Sequence, residues 1–348
     1  MQPVADSTPG PALMAGSQVR PFLEIEALNV AFDGTPVLRG IDFAVGQGEA
    51  IGIVGESGSG KSVTWLAALG LLPKTAVISG NVRLEGKELL SAGSAELDRI
   101  RGRRIAMIFQ DPSSSLNPVI RVGRQIGEVL SRHCGFSGRA IAAEARRLFE
   151  LVGMPDATRR LDAYPHELSG GQNQRVMIAM ALAGKPDLLI ADEPTTALDA
   201  TIQAQILDLL TTIRRETGMA LVLISHDLGV VSETCDRIAV MYGGKIAEVA
   251  SAEAIFESPA HPYTQGLLAA IPSFEGELHR LIPIEGHVPE PARMPPGCAF
   301  APRCPQRQRI CETVVPHLAG IGDGRFCACV VPGKTLKSAP QQRESMPA

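Results

Sequence analysis

Gly55-Glu56-Ser57-Gly58-Ser59-Gly60-Lys61-Ser62 fits the pattern G-x-x-x-x-G-K-[ST], between the apolar run Glu49–Val54 and a helix-like segment Val63–Leu72. In that strand, loop, helix context, glycine-rich backbone turns its N–H groups inward around phosphate oxygens. Lys61 would reach the β- and γ-phosphates of a nucleotide. Ser62, opening a helix whose dipole favours an anion, would supply a hydroxyl ligand for Mg²⁺. A second group follows the apolar run Leu188-Leu189-Ile190-Ala191, which ends in Asp192-Glu193. Asp192 suits a magnesium ligand and Glu193 a general base for an attacking water. In the third, Leu168-Ser169-Gly170-Gly171-Gln172, Ser169 reads as the N-cap of a helix whose glycines leave backbone N–H groups open to an anion. Alone, Asp-Glu-Pro would be a solvated acidic turn and Ser-Gly-Gly an ordinary cap. Their order around one phosphate loop is what points to chemistry.

The elements that must position these residues alternate in type. Phe22–Phe32 and Ile41–Val45 read as strands, and Gly46-Gln47-Gly48 turns the chain into the strand before the phosphate loop. Asn81–Leu84 and Ile105–Phe109 are further strands, the second stopped at Gln110-Asp111-Pro112. Val122–Val152 turns helical, with Ile141, Ala145, Leu148 and Val152 on one face. A helix from Gln172 to Ala183, the strand Leu188–Ala191, a helix Ala200–Thr217 and a strand Ala220–Ile224 complete an α/β pattern. Such alternation implies a largely parallel sheet with its ligand at the carboxyl ends of the strands. Beyond Ala250 the character changes: seven prolines between Pro283 and Pro305 leave little room for regular structure. We place a domain boundary near Ser258, a flexible tail at 1–20 and another at 336–348.

Composition narrows the classes. The 348 residues are 45% apolar and 20% charged, an ordinary globular balance, and 33 basic against 37 acidic residues leave a net charge of -4. That argues against a general nucleic-acid-binding surface. Residues 1–20 lack the basic start and apolar core of a signal peptide. No apolar run approaches the ~18 residues of a membrane span, so work at a membrane would go through a partner. Of seven cysteines, Cys134 and Cys235 read as packing residues. Cys298, Cys304, Cys311, Cys327 and Cys329 crowd together near the C-terminus, as in a soft-metal site. His133 reads as a surface residue.

Taken together, the phosphate loop, Gln110 after its strand, Leu168–Gln172, Leu188–Pro194, Ala197-Leu198-Asp199 and Ser225-His226-Asp227 resemble the ordered motifs of the ATP-binding cassette (ABC) ATPases, over Leu23 to about Ala250. The resemblance implies a P-loop NTPase fold, with an antiparallel β subdomain, a helical subdomain at about 112–167 and a small irregular C-terminal domain at 259–335. It implies ATP and Mg²⁺, and two cassettes joined head to tail, the Ser169 motif of one closing over the phosphate loop of the other. Gln110 would sense Mg²⁺ and water, His226 would contact the γ-phosphate, Asp199 would cross the dimer seam and Phe32 would stack on adenine. A lone chain should bind ATP and hydrolyse it poorly.

Three further stretches resemble the ATPase subunits of dipeptide, oligopeptide and nickel importers: Phe109–Pro118, Tyr164–Ser169, and His261–Thr264 with Leu267–Pro272. A departure is Gln172-Asn173, where these subunits more often carry Met-Arg. The implied partners are a second cassette ATPase (a sister chain or a second copy), two integral membrane permeases gripped by surfaces around Leu116–Leu130, and indirectly an extracytoplasmic binding protein. The implied place is the cytoplasmic face of a bacterial membrane, and the cargo is a peptide or a nickel chelate. A soluble ATPase acting on nucleic acid or ribosomes is the alternative from another class. The resemblance also implies a 4Fe-4S cluster on Cys298, Cys304, Cys311 and Cys329, with Cys327 as the rival for the fourth place and with zinc or free thiols as the alternatives that spacing leaves open.

Overall fold

A computed structural model of the chain describes residues 21–196, 198–271 and 283–332. The expected tails, Ala197 and Pro272 lie outside the described residues. Strands β1 (Leu23–Phe32), β2 (Thr35–Val45) and β3 (Ala50–Val54) precede helix α1 (Lys61–Ala68). They are followed by β4 (Ala76–Leu84), β5 (Lys87–Glu88), α2 (Ser94–Ile100) and β6 (Ile105–Ile108). A run of helices comes next: α3 (Pro112–Ser115), α4 (Val122–Cys134), α5 (Arg139–Leu151) and α6 (Ala157–Arg160). The alternation resumes with α7 (Gly170–Ala183), β7 (Leu188–Asp192), α8 (Ala200–Thr217), β8 (Ala220–Ser225), α9 (Leu228–Thr234), β9 (Arg237–Tyr242) and β10 (Lys245–Ser251). Helices α10 (Ala252–Glu257) and α11 (Pro262–Ala269) and strands β11 (Ala319–Gly322) and β12 (Arg325–Cys327) close the described chain.

Two sheets result. An antiparallel one has the order β2-β1-β4-β5, and a larger one has the order β11-β12-β10-β9-β3-β8-β7-β6. In the second, β9, β3, β8, β7 and β6 run parallel. All five residues of β3 and all of β7 and β8 are buried, which is why these strands are written as continuous apolar runs rather than alternating ones. Their common direction brings the ends of β3, β6, β7 and β8 to one edge. β2 and β4 begin earlier than alternation suggests. Their first residues, Thr35 and Ala76, both pair with Phe32 of β1, and backbone pairing at the sheet's end needs no apolar side chain.

The helical insertion packs into the core on one side of the main sheet. Ala145, Leu148 and Val152, three of the four residues expected on one face, are buried with Phe149, Ile126 and Leu130 against α7. Within the stretch expected to offer a surface to the permeases, the end residues Leu116 and Leu130 are themselves buried, at 3% and 0% exposed. The exposed apolar side chains of this region are Phe109 and Val119, at 40% and 78%. His133 is half-buried. Burial, with Arg132 and Arg103 nearby, holds its imidazole below the usual range.

The sole tryptophan anchors the helix that leaves the phosphate loop. Trp65 is fully buried and meets Phe43 edge-on, with ring centroids 5.9 Å apart. Trp65→Ala is expected to cost about 3–5 kcal/mol of stability, measured by denaturant unfolding followed by circular dichroism. A loss below about 1 kcal/mol would show that α1 is held by its loop rather than by this contact.

Candidate active site

The phosphate loop springs from the carboxyl end of β3. Two of its glycines are required by close approach. A Cβ on Gly55 would lie 2.2 Å from the Met241 carbonyl oxygen, and one on Gly60, which caps α1 at φ 100°, would lie 2.5 Å from Leu38. Ser57 and Gly58 are exposed at the tip, and Ser59 is buried. The Lys61 ammonium donates to the carbonyl oxygens of Gly55 at 2.7 Å and Glu56 at 3.1 Å. Burial pushes this lysine below its usual pKa, while the negative charges of Glu193, Asp192 and Glu56 oppose the shift. The first turn of α1 leaves N–H groups without intrahelical acceptors, so charge and donors converge where a polyanion can bind.

Asp192 ends β7 opposite Ile224 of β8. It is 5% exposed, and burial raises its carboxyl pKa, aided by Glu193 and opposed by the Ser62 hydroxyl and Lys61. Its Oδ1 is buried without a hydrogen-bond partner among the described residues. A hard cation prefers such oxygens, so Asp192 and the Ser62 hydroxyl fit a Mg²⁺ ion.

Glu193 sits beside it at φ 47°, a left-handed conformation rare for a side chain of its size. Its N–H donates to the Ile224 carbonyl at 3.0 Å. Its Oε2 accepts from Gln110 Nε2 at 2.9 Å and from the Thr196 hydroxyl at 2.9 Å. His226 Nδ1 lies 3.6 Å from the same oxygen. Gln110, Asp192 with Glu193, and His226 thus arrive from the ends of β6, β7 and β8, three adjacent strands. Thr196 was missed in the sequence, where a threonine after Glu-Pro-Thr carries no chemical signal of its own.

Other expected site residues lie apart from this group. Ser169 and Gly170 are exposed at the start of α7. There Ser169 Oγ accepts from the Gln172 N–H at 3.3 Å, and Gln172 Oε1 accepts from the Ser169 N–H at 3.1 Å, a capping box. Gly171 packs toward Ile202. Asp199 caps α8 through the Ile202 N–H. Among the described residues none of these bonds to the phosphate loop or to Glu193. Phe32 is half-buried at the end of β1, packed on the core of the antiparallel sheet.

The cysteines divide. Cys235 is buried, and Cys134 donates to the Ala183 carbonyl, as packing residues do. Cys298, Cys304, Cys311 and Cys329 line one small cavity with His261 and Phe300. Burial raises the thiols of Cys298 and Cys329, and that of Cys304 to about 11. Cys327 lies instead in β12, paired with Glu248 of β10. Among the described residues, no three His, Cys, Asp or Glu side chains come close enough to hold a metal ion.

Comparison with known proteins agrees with this geometry. Residues 38–196 match the family "ABC transporter", and residues 247–311 match "Oligopeptide/dipeptide transporter, C-terminal region". A putative peptide import ATP-binding protein of Brucella abortus is 50% identical over 314 residues, 89% of this chain and 94% of the relative. The oligopeptide transport ATP-binding protein OppD of Salmonella typhimurium is 46% identical, over 93% of this chain and 98% of its own. The dipeptide transport ATP-binding protein DppD of Bacillus subtilis is 49% identical, over 88% and 93%. Among solved structures, the dimeric post-hydrolysis state of the ATP-binding cassette MJ0796 with ADP and Pi superposes with a TM-score of 0.60 at 27% identity, covering 66% of this chain and 98% of that one.

The lone oxygen of Asp192 makes a prediction about metal removal. Asp192→Asn removes a desolvated charge, so the nucleotide-free protein should melt at or above the wild-type temperature. The extra stabilisation that Mg²⁺ adds to ATP over ATP with EDTA should vanish. A full Mg²⁺-dependent shift in the variant would remove Asp192 from the metal site.

Proposed function

The chain belongs to the ATP-binding cassette ATPases, in the branch that carries the oligopeptide/dipeptide transporter C-terminal region, and we propose that it hydrolyses ATP to energise uptake of di- and oligopeptides. The names and the extent of its relatives support the peptide cargo. The observation that carries the chemistry is Glu193, held between Gln110 and Thr196 beside the Lys61 loop.

Hydrolysis follows from these positions. The triphosphate lies on backbone N–H groups of the loop and of the first turn of α1, with Lys61 exchanging carbonyl oxygens for phosphate oxygens. Asp192 and the Ser62 hydroxyl would hold Mg²⁺, which would supply charge neutralisation to the phosphates. Glu193 Oε2 takes the proton of the attacking water, oriented by Gln110, and His226 steadies the γ-phosphate from the neighbouring strand end. The exposed Ser169–Gln172 helix start serves the nucleotide of a second cassette, and Asp199 faces the same seam. Phe32 stacks on adenine. That partner is a sister chain or another copy. Two integral membrane permeases complete the importer, fed by an extracytoplasmic binding protein, and Phe109 with Val119 is the apolar surface offered to them. The chain works at the cytoplasmic face of a bacterial membrane; among the described residues no helix is long and apolar enough to cross one.

The thiol cavity is a candidate 4Fe-4S site. A 4Fe-4S cluster takes one cysteine per iron, so its four ligands need not meet at one ion, and Cys298, Cys304, Cys311 and Cys329 are the four cysteines that line this cavity. The cluster would link four separate stretches of a segment poor in regular structure. Protein purified without oxygen should contain iron and acid-labile sulfide in near-equal amounts, reduced by Cys329→Ser and not by Cys327→Ser. Stoichiometric zinc without sulfide would replace the cluster by a zinc site.

Glu193→Gln keeps the hydrogen-bonding shape and removes the base. Turnover of the assembled transporter should fall by about 10²- to 10⁴-fold with ATP affinity retained. Near-wild-type hydrolysis would refute the role of Glu193.

A further inference from the structure

Glu56, the second residue of the phosphate loop, is held from far along the chain. Its N–H donates to Tyr263 Oη at 2.9 Å. Its carbonyl oxygen accepts from Lys61 Nζ at 3.1 Å and from the Ser59 N–H at 3.2 Å. Its carboxylate receives Arg303 Nη1 at 2.9 and 3.2 Å. Both distant partners are rigid. The Arg303 side chain is 6% exposed and also donates to Tyr242 Oη at 3.3 Å and to the carbonyl oxygens of Ile284, Glu285 and Gly286 at 3.3, 2.9 and 3.2 Å. Tyr263 is fully buried, its ring 4.6 Å from that of Tyr242 and 5.3 Å from that of Phe300.

Two consequences follow for a bound triphosphate. The backbone of Glu56 is clamped at both its N–H and its carbonyl, and that carbonyl helps to place the Lys61 ammonium. The carboxylate of Glu56, a negative charge beside a site for a polyanion, is neutralised by Arg303 and turned toward it. A flexible loop would have to be ordered by the nucleotide at a cost in affinity, whereas a clamped one is already in place. We propose that Arg303 and Tyr263 are positioning residues of the nucleotide site, by which the C-terminal segment holds the phosphate loop ready for ATP. The inference rests on the ATPase reading and assigns part of its affinity to residues about 200 positions or more from the loop.

The effect falls on binding and not on the chemical step, which Glu193 carries elsewhere. Titration of the full chain with a fluorescent ATP analogue should show Arg303→Met weakening binding about tenfold, the worth of a hydrogen bond to a charged group. Tyr263→Phe, which keeps the ring and removes only the acceptor, should weaken it about two- to fivefold. Adding Glu56→Gln to Arg303→Met should restore most of the loss, because the uncompensated charge is gone, an improvement that a merely structural role for Arg303 does not produce. In the assembled transporter, KM for ATP should rise in both single variants while kcat stays within about twofold. Wild-type affinity in both folded single variants, or a fall in kcat at unchanged KM, overturns the proposal. If Arg303→Met fails to fold, Tyr263→Phe and the double variant decide it. Failure of the wild-type chain to bind ATP would instead refute the ATPase reading.

Discussion

A buried ammonium group sets the terms of this structure. Lys61 is 7% exposed, and an ion withdrawn from water costs several kcal/mol unless protein atoms replace its hydration. The replacement comes from the carbonyl oxygens of Gly55 and Glu56, which requires the loop to curl back over its own lysine. Longer-range compensation comes from Asp192 and Glu193, so the end of β7 must lie near the end of β3. β8 makes this possible by pairing in parallel with both. The same strand accepts the N–H of Glu193 and holds its unusual backbone conformation.

A second buried charge plays the corresponding part in the C-terminal half. Glu248 of β10 is fully buried, and its carboxylate accepts the N–H groups of Ala260 and His261 at 2.7 and 2.8 Å. Arg325 of β12 approaches it at 3.7 Å. One side chain thereby ties the start of α11 and the last strand to the edge of the main sheet. The segment beyond Ser258 is anchored on the ATPase sheet through β12 despite its many prolines. That anchoring lets Tyr263 and Arg303 reach the phosphate loop, so the regions matched by the two families share contacts at Glu56.

Much of this was legible in the residues. Strands buried on both faces are runs such as Leu188–Ala191 and Ala220–Ile224, and the helix expected over Ala200–Thr217 has those bounds in the structure, where Asp199 caps it and Gly218 ends it. Motif order pointed to Gln110, Asp192, Glu193 and His226, and the structure gathers them at one sheet edge. The missed features are those without a local signature. Amphipathic spacing does not say whether an apolar face such as that of Ile126 and Leu130 meets a partner or the chain's own α5 and α7, and here it packs inward. Thr196 bonds Glu193 from three residues away but belongs to a stretch with no chemical signal, and Tyr263 and Arg303 reach Glu56 from positions whose distance in sequence hides the pairing.

By itself, the sequence determined that Gly55–Ser62 is a glycine-rich loop of the phosphate-binding pattern and that strand alternates with helix, because both depend on backbone conformation and periodicity within a few residues. Tertiary structure alone decided which carboxylate oxygen stays unpaired, which four of the five clustered cysteines face one cavity, and that the phosphate loop is braced from the C-terminal segment. Those outcomes depend on burial and on contacts across the whole chain, where desolvation selects among partners that the local sequence leaves equivalent.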